Sequence, residues 1–179
     1  YDDEELQAYV SGIGQRIAAV SHRPDLQYTF TVLDTDDINA FALPGGYVYI
    51  TRGIMAYLNS EAELVAVLGP EGGHVTARHA VRQQTGATAT GIGALLVGIL
   101  TGSGDLANVA NMAGSALVSG YGRDMELEAD DIGAQYLDRL GYDPDAMSDV
   151  VRLLKNQEMF EIQLARQEGR EPRVYHGVF

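Results

Sequence analysis

The sequence specifies an α+β domain with a marked helical excess. Long stretches with apolar residues three and four apart fill most of the chain. One run of alternating residues and one Pro-Gly-Gly turn place a small sheet of about three strands near its start. A third observation marks the centre. Between Ser60 and Arg82 a buried-type helix carries Glu71 and His74, three apart and on one face.

Composition narrows the classes. The 179 residues, 46% of them hydrophobic, suffice for one domain with a sizeable core, expected over residues 1–179 without repeat or internal boundary. A net charge of −13 leaves no electrostatic basis for binding nucleic-acid phosphates or anionic lipid. The absence of cysteine excludes disulfides and thiolate metal sites. The longest apolar stretch, Ala87 to Leu100, is interrupted by Gly and Thr and is too short to span a bilayer. The chain opens at Tyr1 with no basic-then-apolar leader, so any signal peptide is expected to have been removed.

Each element has its own signal. Asp2 to Glu5 put negative charge at a helix start, and Leu6, Val10, Ile13, Ile17 and Val20 carry that helix to about Ser21. Tyr28, Phe30 and Val32 alternate with polar residues as a half-buried strand. Asn39 to Leu43 leads into the tight turn Pro44-Gly45-Gly46, and Tyr47 to Thr51 follows as a strand. Arg52 to Leu58 reads as a short helix. After Arg82 the chain is small and Gly-rich to Asp105, Leu106 to Ser119 reads as a helix of small residues, and a further helix runs from about Arg123 to Gly141. Asp143-Pro144 restarts a helix that continues to about Glu168, and the tail from Glu171 to Phe179 has no periodicity.

The central stretch opens on Ser60, which can accept from the Glu63 amide while the Glu63 carboxylate reaches back to the Ser60 amide. A zinc-protease helix needs a His, a Glu directly after it, and a second His four residues from the first. The two imidazoles then grip one metal, and the Glu takes a proton from its water. Here Glu71 and His74 occupy the second and third places, and Pro70 occupies the first. Proline offers no donor and costs about 3 kcal/mol in a helix interior, with Gly72 and Gly73 adding about 1 kcal/mol each. On local rules Gly69-Pro70 is a junction between two helices. The shared stripe of Leu64, Leu68 and Val75 demands one continuous helix instead, with or without a kink, and packing is expected to win.

The second informative stretch is Arg123 to Asp131. Glu126 and Asp130 are four apart and face one way, whereas Glu128 points elsewhere. Read alone, this is a solvated acidic face near a helix start. Beside Glu71 and His74 it becomes a source of a carboxylate ligand.

Together, Asn39-Ala40-Phe41-Ala42-Leu43-Pro44-Gly45-Gly46, Glu61-Ala62-Glu63-Leu64, Glu71 with His74, and Glu126-x-Glu-Ala-Asp130 resemble the HtpX-type and BepA-type zinc metallopeptidases, relatives of the prenyl-protein (CAAX) endopeptidases. The resemblance covers nearly the whole chain, in order and at fitting spacings. It implies a gluzincin-like fold with zinc as cofactor, His74 and Glu126 as metal ligands, Glu71 as general base and Asp130 behind them. It also implies an edge strand, Phe41, Ala42 and Leu43, that pairs with extended polypeptide substrate. A bacterial periplasmic or envelope location and a C-terminal continuation beyond Phe179 are implied in the same way.

The chain departs from this pattern at Pro70, which removes one ligand outright, and at Gly72, which replaces a larger apolar residue. Zinc is therefore expected to bind weakly or not at all. His79 lies about 140° round the helix from His74 and reads as a surface residue or as one standing behind the ligands. His22 reads as a solvated loop residue, and His176, in the aperiodic tail, is not counted as a ligand. Two functions of different class follow: an endopeptidase for unfolded or misassembled proteins, impaired in this chain, or a non-catalytic, chaperone-like peptide-binding module on the same scaffold.

Overall fold

The computed structural model describes residues 2–77 and 123–172. The expected helix at 106–119, the Gly-rich stretch before it and the last residues of the tail lie outside the described residues. Helix α1 (Glu4–Val20) starts where the Asp3 carboxylate accepts from the Leu6 amide at 2.9 Å, with Glu4 and Glu5 at its positive end. It buries Val10, Ile13 and Ile17 and packs against β1 (Thr29–Leu33). Gly14 sets their spacing, because a Cβ there would stand 2.3 Å from the Phe30 ring.

Strand β2 (Ala40–Leu43) turns through Pro44-Gly45-Gly46 into β3 (Tyr47–Thr51). Gly45 and Gly46 take φ of 97° and 92°, a region that glycine enters freely. The sheet runs in the order β1-β3-β2, with β3 parallel to β1 and antiparallel to β2. Its two edges are treated differently. Along β1, the Gln7 side chain donates to the Phe30 carbonyl at 2.8 Å and accepts from the Val32 amide at 2.9 Å, as a neighbouring strand would. Along β2, the Thr51 amide donates to the Asn39 carbonyl at 3.0 Å, so by alternation the amides of Ala40 and Ala42 point outward, away from β3. All four β2 side chains are buried, and α3 packs against the strand.

After the single turn α2 (Arg52–Met55), α3 (Glu61–Thr76) crosses the core, and every residue from Leu64 to Val75 is buried. Ser60 accepts from the Glu63 amide at 3.2 Å as expected. The return bond differs: the Glu63 carboxylate takes the Asn59 amide at 2.6 Å, one residue further out. The junction that local rules place at Gly69-Pro70 does not form, and α3 is one helix with Pro70 inside it. Burial on all sides explains the outcome, since Leu64, Leu68 and Val75 can share one core only on one axis. Residues 78–82, the expected end of this helix, lie outside the described residues.

Helix α4 (Arg123–Leu140) lies across α3, and Gly141, at φ 81°, ends it. Helix α5 (Asp145–Glu168) packs on α3 and ends at Gly169, at φ 67°. No helix among the described residues is long and apolar enough to cross a membrane.

Gly14→Ala is expected to lower stability by about 1–3 kcal/mol, read as a drop in urea midpoint at unchanged slope. Adding Phe30→Leu should recover part of that loss, because the clash is with this ring. Gly72→Ala should instead be neutral or gain up to about 1 kcal/mol, since its Cβ meets Ile17 and Tyr136 only at 3.6 Å.

Candidate active site

The site forms where α3 and α4 pass at backbone distance. A Cβ on Gly73 would stand 3.0 Å from the Ala129 carbonyl oxygen, and one on Gly69 would stand 3.2 Å from the Gly133 Cα. A Cβ on Gly133 would stand 2.8 Å from the Pro70 Cδ, so the missing side chain leaves the notch that receives the proline ring. This approach carries His74 to Glu126, with Nε2 and Oε2 3.5 Å apart. His74 is 7% exposed, whereas the Glu126 side chain keeps 37% of its surface open.

Glu71, also 7% exposed, lies beneath them. Its carboxylate accepts the outward-pointing amide of Ala42, which ties α3 to the edge strand. Burial pushes the Glu71 carboxyl up, the charges of Glu126 and Asp130 push the same way, and His74 and the Ala42 amide pull it down. The balance stands at about 7. Burial alone would lower His74, but Glu126, Glu71 and Asp130 outweigh it and raise this histidine. Asp130 is raised by burial and by Glu126. All three groups therefore hold protons more tightly than they would in water.

Two donor atoms bound to one zinc at ~2.0–2.2 Å in tetrahedral geometry lie roughly 3.3–3.6 Å apart, and His74 and Glu126 meet that spacing. The third place that the resemblance implies falls on Pro70, whose ring holds no donor. Among the described residues no three His, Cys, Asp or Glu side chains converge on one point. The described residues thus supply two corners and do not fit a three-ligand centre; His79 and His176 lie outside them.

Sequence reasoning missed the support behind His74. The Thr76 hydroxyl donates to the Gly73 carbonyl at 3.0 Å, so the buried Tyr136 hydroxyl, 3.2 Å away, donates to Thr76. His22 sits 3.1 Å from the same Tyr136 oxygen through Nδ1, and its Nε2 lies 3.3 Å from Arg139. His22 is exposed, as a loop residue should be, yet it is bonded on both ring nitrogens. Only coordinates bring these four residues together, because each one alone is unremarkable in the sequence.

The model of Peptidase family M48 matches residues 4–171. The chain belongs to this family. It is 34% identical over 167 residues to the beta-barrel assembly-enhancing protease of Yersinia pestis, covering 88% of this chain and 34% of that protein. The protein of the same name from Escherichia coli K12 is 32% identical, covering 97% of this chain and 36% of its own length. The mitochondrial metalloendopeptidase OMA1 of Schizosaccharomyces pombe is 36% identical over 139 residues, covering 77% and 41%. This chain spans about a third of the length of the bacterial relatives it matches. The HtpX- and BepA-type resemblance read from the sequence agrees with membership of M48.

A carboxyl whose folded pKa exceeds its free value stabilises the protonated fold, so Glu71 withdraws stability as pH rises from 4.5 to about 7. A raised His74 acts in the same direction, being stabilising below 6.5 and losing that contribution as pH passes its folded value. Metal-free protein should therefore be less stable at about pH 8 than at about pH 5, with Glu71 contributing on the order of 3 kcal/mol. Urea midpoints at the two pH values check this, and Glu71→Gln should flatten the difference.

Proposed function

We propose that this chain is an M48 peptidase domain that holds extended polypeptide along β2 and, with Pro70 in place of a ligand, hydrolyses it weakly or not at all. The observation that carries this reading is the seating of Pro70. It lies inside an intact α3, its ring in the notch at Gly133, where it supplies no donor. The non-catalytic, chaperone-like module is thus favoured for this sequence, and the endopeptidase for its lineage. The outward backbone of Ala40 and Ala42 supports peptide pairing at this edge, as β-strand addition requires. Glu71, protonated or ionised near neutral pH, is placed to exchange a proton with a group bound beside Ala42.

Substrate and location follow the relatives by name only. Proteins called beta-barrel assembly-enhancing proteases match this chain, so unfolded or misassembled envelope proteins are the proposed clients and the bacterial periplasm or envelope is the proposed location.

The test is zinc titration and casein cleavage for three proteins: the chain itself, Pro70→His, and Pro70→His with Glu71→Gln. Losing even a partner behind a ligand commonly lowers affinity or activity by roughly 10–100-fold, so a missing ligand should cost at least as much. The chain itself should bind zinc weakly and leave casein intact, Pro70→His should regain both properties, and the double variant should regain zinc alone. Tight stoichiometric zinc with full activity in the unaltered chain would overturn the proposal.

A further inference from the structure

The candidate centre has a neighbouring cleft of about 450 Å³ between α4 and α5, lined by Asp130, Met147, Ser148, Val151, Arg152 and Lys155. Asp130 forms its α4 wall and is also the residue four positions on from Glu126, so cleft and centre share a wall. The α5 wall is chemically different. Met147 and Val151 are half-buried, whereas Arg152 and Lys155 stand exposed. Arg152 shares its charge with Asp149 at 2.9 Å. Lys155 makes no ion pair or hydrogen bond to the described residues. It is also the single lysine among 179 residues in a chain of net charge −13.

We propose that this cleft receives one carboxylate-bearing residue of the bound polypeptide and that Lys155 selects it. The fit is one of layers. An aliphatic stem lies against Met147 and Val151, and the carboxylate stays at the mouth, beside Lys155 and away from Asp130 on the far wall. A glutamate side chain has this form, and so does a C-terminal carboxylate on an apolar last residue. In a chain of net charge −13, an ammonium with no partner among the described residues, in a cleft that shares Asp130 with the centre, gives register as well as attraction. The inference rests on the peptide-binding reading above and adds the chemistry of the residue that sits next to the centre.

Fluorescence anisotropy with labelled extended peptides tests it, since binding is read without hydrolysis. One series carries Glu, Gln or Lys at a single scanned position and an amidated C-terminus. The other lacks acidic side chains and ends in either a free acid or an amide. The carboxylate form of one series should bind about threefold more tightly than its neutral counterpart, the size of an exposed ion pair, and should lose that advantage in about 0.5 M salt. Lys155→Gln should abolish the preference, and Lys155→Glu should reverse it in favour of the Lys peptide. The series that responds identifies the source of the carboxylate. Peptides that bind without a charge preference, or with one unchanged in Lys155→Glu, would overturn the cleft assignment alone. If no peptide binds at all, the peptide-binding reading fails and this inference fails with it.

Discussion

The backbone-distance crossing of α3 and α4 is the constraint on which the rest depends. Gly69 and Gly73 on one helix meet Gly133 and Ala129 on the other, each pair four residues apart and therefore on one face. Any larger side chain at Gly73 would push against the Ala129 backbone. Because His74 follows Gly73, and Glu126 lies one turn before Ala129, the same crossing that packs the core brings imidazole and carboxylate to 3.5 Å. Packing and chemistry are here one contact seen from two sides. The hydrogen-bond chain from Thr76 through Tyr136 to His22 and Arg139 then fixes the end of α3 against α1 and α4.

A proline at position 70 and the survival of the helix are compatible for the same reason. A proline in a helix interior costs about 3 kcal/mol, comparable to a large share of a domain's stability of ~5–15 kcal/mol. The helix continues because its neighbours leave it no other axis. Residues Leu64 to Val75 are buried all round, and Gly133 removes the atoms that would collide with the ring. Tertiary contacts thus decide backbone continuity, while the identity of one side chain decides whether a third donor exists.

Most elements were legible because each has a local cause: the negative charge from Asp2 to Glu5, the alternation through Phe30 and Val32, the double glycine after Pro44, and the stop at Gly141. The pairing of Glu71 and His74 with Glu126 was legible from spacing together with family resemblance. What escaped was set by distance in the chain. Gly69-Pro70 reads as a break until Gly133, more than sixty residues later, is known to face it. Gly73 reads as a weakness until Ala129 is seen against it. The sealing of β1 by Gln7, the bond from Ala42 to Glu71 and the double engagement of His22 all join residues whose types carry no signal of partnership.

The two sheet edges and the charge of the centre lead to one further step. An unsatisfied strand edge is a liability unless something covers it, and Gln7 covers β1 with a side-chain amide. On β2 the cover is chemical as well as steric, because the Ala42 amide is spent on Glu71. A peptide that pairs along β2 therefore competes with Glu71 for that amide, so peptide binding and the protonation of the buried carboxyl are coupled. Releasing the amide removes one of the influences holding the Glu71 carboxyl down, and it moves further toward its neutral form. Glu71, His74 and Asp130 are all shifted toward their protonated forms, Glu71 to about 7. If a peptide pairs along β2 as proposed, edge strand, buried carboxyl and peptide form one linked equilibrium, independent of the side chain at position 70.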